Sequence, residues 1–194
     1  MKYDKRKIAG SLLFIGGVIG VLGIIVAEAL YPGYSTSDNY ISDLGVGPSA
    51  LVFNSSMVIL GVLVLCGAYF IQKAFNFKLL TILVAVAGIG AIGVGLFTED
   101  AGTAHLIFSF LILFFGGLSA TASYKVQKAP ASYFSVILGA MSLLAIALFA
   151  SGTLLDLGKG GMERMIAYPS LLWLVVFGGY LIGCSNETST AKKS

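Results

Sequence analysis

Charge is scarce in this chain. Of 194 residues only 11% are Asp, Glu, Lys or Arg, whereas soluble domains carry about a quarter. Cysteine is nearly absent. Cys66 and Cys184 lie inside apolar runs, match no zinc spacing and make no disulfide framework. There is one histidine, His105, and one tryptophan, Trp173. A lone histidine with no cysteine nearby is a poor zinc set, so neither a metal nor a cofactor is expected. The net charge of +3 comes from lysines spread over short connections. They form no basic patch, which argues against nucleic acid as a partner. No separate signal peptide is expected, because the basic start from Lys2 to Lys7 runs directly into an apolar stretch too long for a signal-peptide core.

What is abundant is hydrocarbon: 57% of the residues are hydrophobic. A membrane span needs roughly 20 apolar residues, and the backbone of each span must satisfy its own hydrogen bonds by being helical. Six stretches qualify, at about 8–30, 50–71, 79–97, 104–124, 132–155 and 165–184. The expected fold is all-α, a single domain of six transmembrane helices in a cell membrane. The segment 31–49 forms an outer loop, and the polar tail 186–194 is expected to be disordered.

Orientation follows from the basic residues. One set of helix ends carries Lys2, Lys5, Arg6, Lys7, Lys73, Lys78, Lys125, Lys128, Lys192 and Lys193, which is ten of the twelve. By the positive-inside rule these ends, and both termini, are cytoplasmic. The opposite ends collect Glu28, Asp38, Asp43, Glu99, Asp100, Asp156 and Glu163, seven of the nine acids. Two glycosylation-like motifs carry no weight, since Asn54-Ser-Ser lies within a span and Asn186-Glu-Thr on the cytoplasmic side.

The outer loop is the longest connection. Pro32 and Gly33 end the first helix; Ser35 or Thr36 can cap a short helix through Asp43 and Leu44, with Gly45 in the left-handed terminating position. A loop this long among short ones reads as a lid or binding element. Small residues mark packing faces: Gly16, Gly20 and Gly23 in the first span, and Ala87, Gly88, Ala91 and Gly95 in the third. Ser55, Ser56, Ser109, Ser119 and Ser142 can bond between helices. Pro169, near the start of the sixth span, starts or kinks it and frees a carbonyl.

Ionisable groups at membrane depth are costly unless paired or wetted, so each is a candidate site residue. Glu28, Asn54, Glu99, Asp100, His105, Asp156, Glu163 and Arg164 all fall in one layer near the outer interface, and Asp43 of the outer loop joins them as a candidate ligand-binding residue. His105 beside Glu99 or Asp100 suits a general base oriented by a carboxylate. It equally suits a single metal ligand, a pH sensor, or an interfacial histidine bonded to a loop carbonyl. Arg164 suits an anionic headgroup, or an internal ion pair with Glu28, Asp156 or Glu99. Glu163 next to it suits the helix N-terminal dipole. Glu28 is expected to face the bundle and bond Asn54 or Ser55, and Trp173 to pack between helices.

Several of these motifs together resemble the prokaryotic membrane-protein family known as domain of unknown function 998. They are Phe53-Asn54-Ser55-Ser56 with Gly61, the run Gly95-Leu-Phe-Thr-Glu-Asp followed by His105, Glu163-Arg164-Met-Ile with Leu172-Trp173, and Ser42-Asp43-Leu44-Gly45. The resemblance spans nearly the whole chain. It implies a six-helix bundle with polar motifs on the outer side, and no activity. Thr98 stands where proline is expected, leaving the start of that loop less rigid.

Three functions are compatible with these residues. One is binding of a lipid headgroup or small polar ligand at the outer polar layer, with membrane lipids as partners. The second is a structural or accessory subunit, within a homo-oligomer or a larger membrane complex. The third is an interfacial lipid hydrolase or transferase using His105 with Glu99 or Asp100.

Overall fold

The computed structural model describes residues 4–190, with side chains through Cys184. Six helices carry it: α1 (Lys5–Leu30), α2 (Ala50–Phe75), α3 (Lys78–Leu96), α4 (Thr103–Ala122), α5 (Ala131–Ala150) and α6 (Gly158–Thr190). Each holds a window long and apolar enough to cross a membrane, and no strand occurs among the described residues. The helices stand in a ring in chain order, α1 against α2 and so on to α6, which closes on α1. With six crossings the chain returns to the end where it began.

The helix ends have local causes. Asp4 caps α1 by accepting from the Arg6 amide at 2.9 Å. Asn76 ends α2 in the left-handed region at φ +50°, a position asparagine tolerates better than most residues. The fifth helix stops at Ala150, short of the expected 155, because Gly152 (φ +77°) terminates it. There the Thr153 amide reaches back to Leu148 O (2.9 Å) and the Gly152 amide to Phe149 O (3.0 Å), the paired bonds of a Schellman end. The sixth helix starts at Gly158, seven residues before the expected 165. The Gly160 amide donates to Ser37 O of the long loop at 2.9 Å, so that loop supplies an acceptor which this first turn lacks in itself. Pro169 therefore lies inside α6 rather than at its start. Ser142 Oγ of α5 donates to Ile166 O, three residues before the proline, at 2.7 Å, an interhelical bond of the kind that re-satisfies loosened backbone.

Two further expectations are corrected. The short helix expected in the outer loop is present as one 3-10 turn, Ser42–Gly45, but it is not capped from Ser35 or Thr36, because Ser35 and Asn39 spend their polar groups locally. The Ser35 hydroxyl bonds Asp38, and Asn39 Oδ1 accepts from the Ser35 amide, local bonds that compete with helix formation. Gly45 has no positive φ. A Cβ there would meet Asn54 Oδ1 at 2.8 Å, so close approach to α2 is what this position requires. At the other end, the tail expected to be disordered from 186 enters a helix that runs to Thr190, and 191–194 lie outside the described residues. A helical ladder adds one bond per residue once formed and need not stop at the membrane boundary.

Within the bilayer, helices associate through close backbone approach rather than hydrophobic transfer. At Gly61 of α2 a Cβ would meet Gly88 O of α3 at 2.6 Å, and at Gly178 of α6 it would meet Gly10 O of α1 at 2.7 Å. One end of the bundle is basic and aromatic. Lys5 Nζ lies 5.7 Å from the Phe70 ring, Arg6 Cζ 5.1 Å from Phe75, and Lys125 Nζ 5.6 Å from Phe77. The opposite end gathers the acids.

Candidate functional site

At the acidic end the long loop is fastened to the start of α6, and Arg164 is the fastener. Its Nη1 donates to Gly160 O (2.8 Å) and Thr36 O (3.0 Å), with Asn39 O at 3.4 Å. Its Nη2 donates to the Glu28 carboxylate of α1 and to Tyr34 OH (2.7 Å). Tyr34 OH in turn donates to Tyr40 O at 2.8 Å. The Nη hydrogens are therefore spent inside the protein, and only the buried Nε has no partner. The internal pair with Glu28 is the arrangement present, and it offers an incoming anion little. Burial pushes the Tyr34 hydroxyl up to about 12, against the pull of the adjacent guanidinium.

The neighbouring Glu163 has a second task. One of its oxygens, Oε2, accepts from the Ile41 amide of the loop, and no hydrogen bond is made by Oε1 among the described residues. Near it lie Asp43 and Glu99. Asp43 Oδ2 accepts from Asn39 Nδ2 (2.8 Å) and the Tyr40 amide (3.1 Å). Burial, and the Asp43 carboxyl within hydrogen-bonding reach, raise the Glu99 carboxyl above its ordinary range; His105 and Lys159 oppose that shift.

His105 is 5% exposed, one turn into α4. Its Nδ1 lies 2.8 Å from Phe97 O. A carbonyl only accepts, so Nδ1 carries the hydrogen and the neutral ring keeps its lone pair on Nε2. Of the arrangements open from sequence, the bond to a loop carbonyl is the one found, and no carboxylate is hydrogen-bonded to the ring among the described residues. No group of three His, Cys, Asp or Glu is placed to hold a metal ion among them either.

Inside the ring of helices lies a cavity of about 90 Å³. Its polar end is walled by His105, Glu163 and Ser42, its flanks by apolar side chains of α1 (Ile24), α2, α3, α4 and α6, and its floor includes Trp173 and Ser119. The α5 helix contributes nothing to the wall. Trp173 is 2% exposed, stacks on Phe177 and donates Nε1–H to Ser123 Oγ at 3.0 Å, so its packing role and its place in the wall coincide. Ala87 and Ala91, read from sequence as packing positions beside Gly88, face the cavity, while Gly88 itself meets α2.

The layer expected from sequence is thus only partly one site. Glu28 and Arg164 meet. His105 and Glu163 share the cavity, with Glu99 and Asp43 beside them. Asn54 serves the loop instead, donating to Gly45 O at 2.9 Å. Asp100 is exposed, and Asp156 is exposed in the connection before α6, because α5 ends early. Sequence reasoning missed Tyr34, and it gave Glu163 a helix-dipole role rather than a place in the cavity wall. That place could have been found from the small-residue line Glu163 starts on α6, since Ala167 and Ser170 follow at helical spacing.

These features define a polytopic helical membrane protein with a central cavity beneath a fastened loop. More particularly, residues 14–180 match the profile of the family described as protein of unknown function DUF998, and the chain belongs to that family. No curated protein and no solved structure matches the chain.

Proposed function

We propose that this protein binds an amphipathic membrane lipid, its apolar chain in the central cavity and its polar head at the acidic end under the 31–49 loop. The observation that carries this reading is the cavity itself, with apolar walls from five helices and three polar side chains, His105, Glu163 and Ser42, gathered at one end. Binding sites for such molecules are concave, largely apolar, and carry few polar groups that set orientation. An apolar void of this kind stays dry, so a hydrocarbon chain is its natural occupant. By the distribution of basic residues, the acidic end faces away from the cytoplasm of the cell membrane.

Native mass spectrometry of the purified protein tests the proposal. Wild-type protein retains a lipid mass; Ala91→Phe, which fills the cavity from α3, loses it while remaining folded. Retention unaffected by Ala91→Phe, or a wild type that carries nothing under any gentle extraction, overturns the reading. A second reading, an accessory subunit, draws on the Arg164 network, which fastens loop to helices. It expects the same network with no ligand in the cavity.

A further inference from the structure

The hydrogen-bonding inventory at the polar end of the cavity is lopsided. Glu163 Oε1 and His105 Nε2 are both acceptors, and neither makes a hydrogen bond among the described residues. No residue lining the cavity is a lysine or arginine. The nearby cations are committed elsewhere. Arg164 spends its Nη hydrogens on Glu28, Tyr34 and loop carbonyls, and exposed Lys159 lies over the Tyr40 ring at 4.6 Å. Asp43 and Glu99 add further negative charge beside Glu163. A carboxylate facing an apolar space without a cation is costly, and an anionic ligand head would deepen that cost.

Resting on the lipid-binding reading above, we infer that the head this cavity selects is a primary ammonium group on a single apolar chain. The head donates to Glu163 Oε1 and His105 Nε2 together. Phosphate and carboxylate heads are rejected for want of a charged donor on the cavity wall, and a hydroxyl head falls between. The shape agrees with one chain. From Glu163 to Leu174 the cavity follows eleven residues of α6, roughly 16 Å at the helical rise.

The test is equilibrium binding of radiolabelled dodecylamine, dodecanol and dodecanoate at neutral pH to the full chain in phosphatidylcholine nanodiscs, with empty nanodiscs subtracted. The expected order is amine tightest, alcohol weaker by about tenfold, and carboxylate not bound above background. Glu163→Gln keeps an acceptor for the Ile41 amide and removes the charge; it brings the amine down to the level of the alcohol and leaves the alcohol unchanged. Dodecanoate binding as well as dodecylamine, or an amine-to-alcohol ratio untouched by Glu163→Gln, overturns the inference. If Glu163→Gln does not fold, the rank order of the three heads on wild type decides alone. Failure of the underlying reading looks different: no head binds to wild type, or Ala91→Phe leaves all binding in place.

Discussion

Arg164 shows how one residue is settled by its partners. A guanidinium 8% exposed at membrane depth is tolerable because Glu28 neutralises it and Tyr34, Thr36 O and Gly160 O take its other Nη hydrogens. Removing one member of such a pair strands the other, at a cost of about 3–5 kcal/mol. Arg164→Met is therefore expected to lower the melting temperature, followed through Trp173 fluorescence, and Glu28→Gln added to it recovers part of the fall. A double variant no better than the single one would show that the pair is not what holds the loop. Tyr34 gives a pH signature. Its folded value near 12 lies above the ordinary 10, so the folded protein keeps a proton that the unfolded chain releases. The resulting stability is complete below pH 10 and lost as the pH rises toward 12. Melting curves across that window fall for the wild type, and Tyr34→Phe, which cannot ionise, flattens that part of the fall. A slope identical in the two proteins would assign the alkaline loss to other groups. None of this pairing was readable residue by residue. Arg164 had three acidic candidates in sequence, and only the packing of α1 against α6 selects Glu28.

Between elements, spacing proved legible and boundaries less so. The six apolar runs became six helices, since a backbone in lipid has no other way to satisfy itself. The ends moved where a local device intervened: Gly152 cut α5 short, and Ser37 extended α6 backward by accepting from Gly160. Gly20, Gly23, Gly88 and Gly95 were correctly read as close approaches, whereas Gly16 is not one and the alanines beside Gly88 face elsewhere. Gly88 meets Gly61, while Ala87 and Ala91 border the cavity. A small residue at helical spacing looks the same whether a neighbouring backbone or empty space lies opposite. Gly61→Leu is expected to force α2 from α3, because Gly88 O and Ile92 N leave no room for a Cβ. The cost is about 1–3 kcal/mol, read as a lower melting temperature, whereas Gly16→Ala, whose Cβ would meet nothing nearer than 3.5 Å, leaves it nearly unchanged. Equal effects at the two positions would contradict the packing described.

The whole molecule is polarised from end to end. Basic residues over aromatic rings mark one end; the acids, the long loop and the polar wall of the cavity mark the other. By the positive-inside rule the basic end is expected to be cytoplasmic. In a Cys66→Ser, Cys184→Ser background, Asp100→Cys is expected to react with a membrane-impermeant maleimide on intact cells. Ala129→Cys, equally exposed but in the basic connection before α5, reacts only after lysis. The reverse pattern would invert the molecule and move the cavity's polar end to the cytoplasm.

Hydrophobicity and charge asymmetry alone determined that this chain is a six-span bundle, with most of its acids and its histidine gathered at one level. Those are properties of local composition, because span length and loop charge act one segment at a time. Which of the gathered groups face each other, and that a cavity opens beneath them, was decided only by tertiary structure. Helix rotation and the path of the 31–49 loop arise from contacts between segments more than a hundred residues apart, such as Arg164 with Thr36 and Glu163 with Ile41, and no local pattern encodes them.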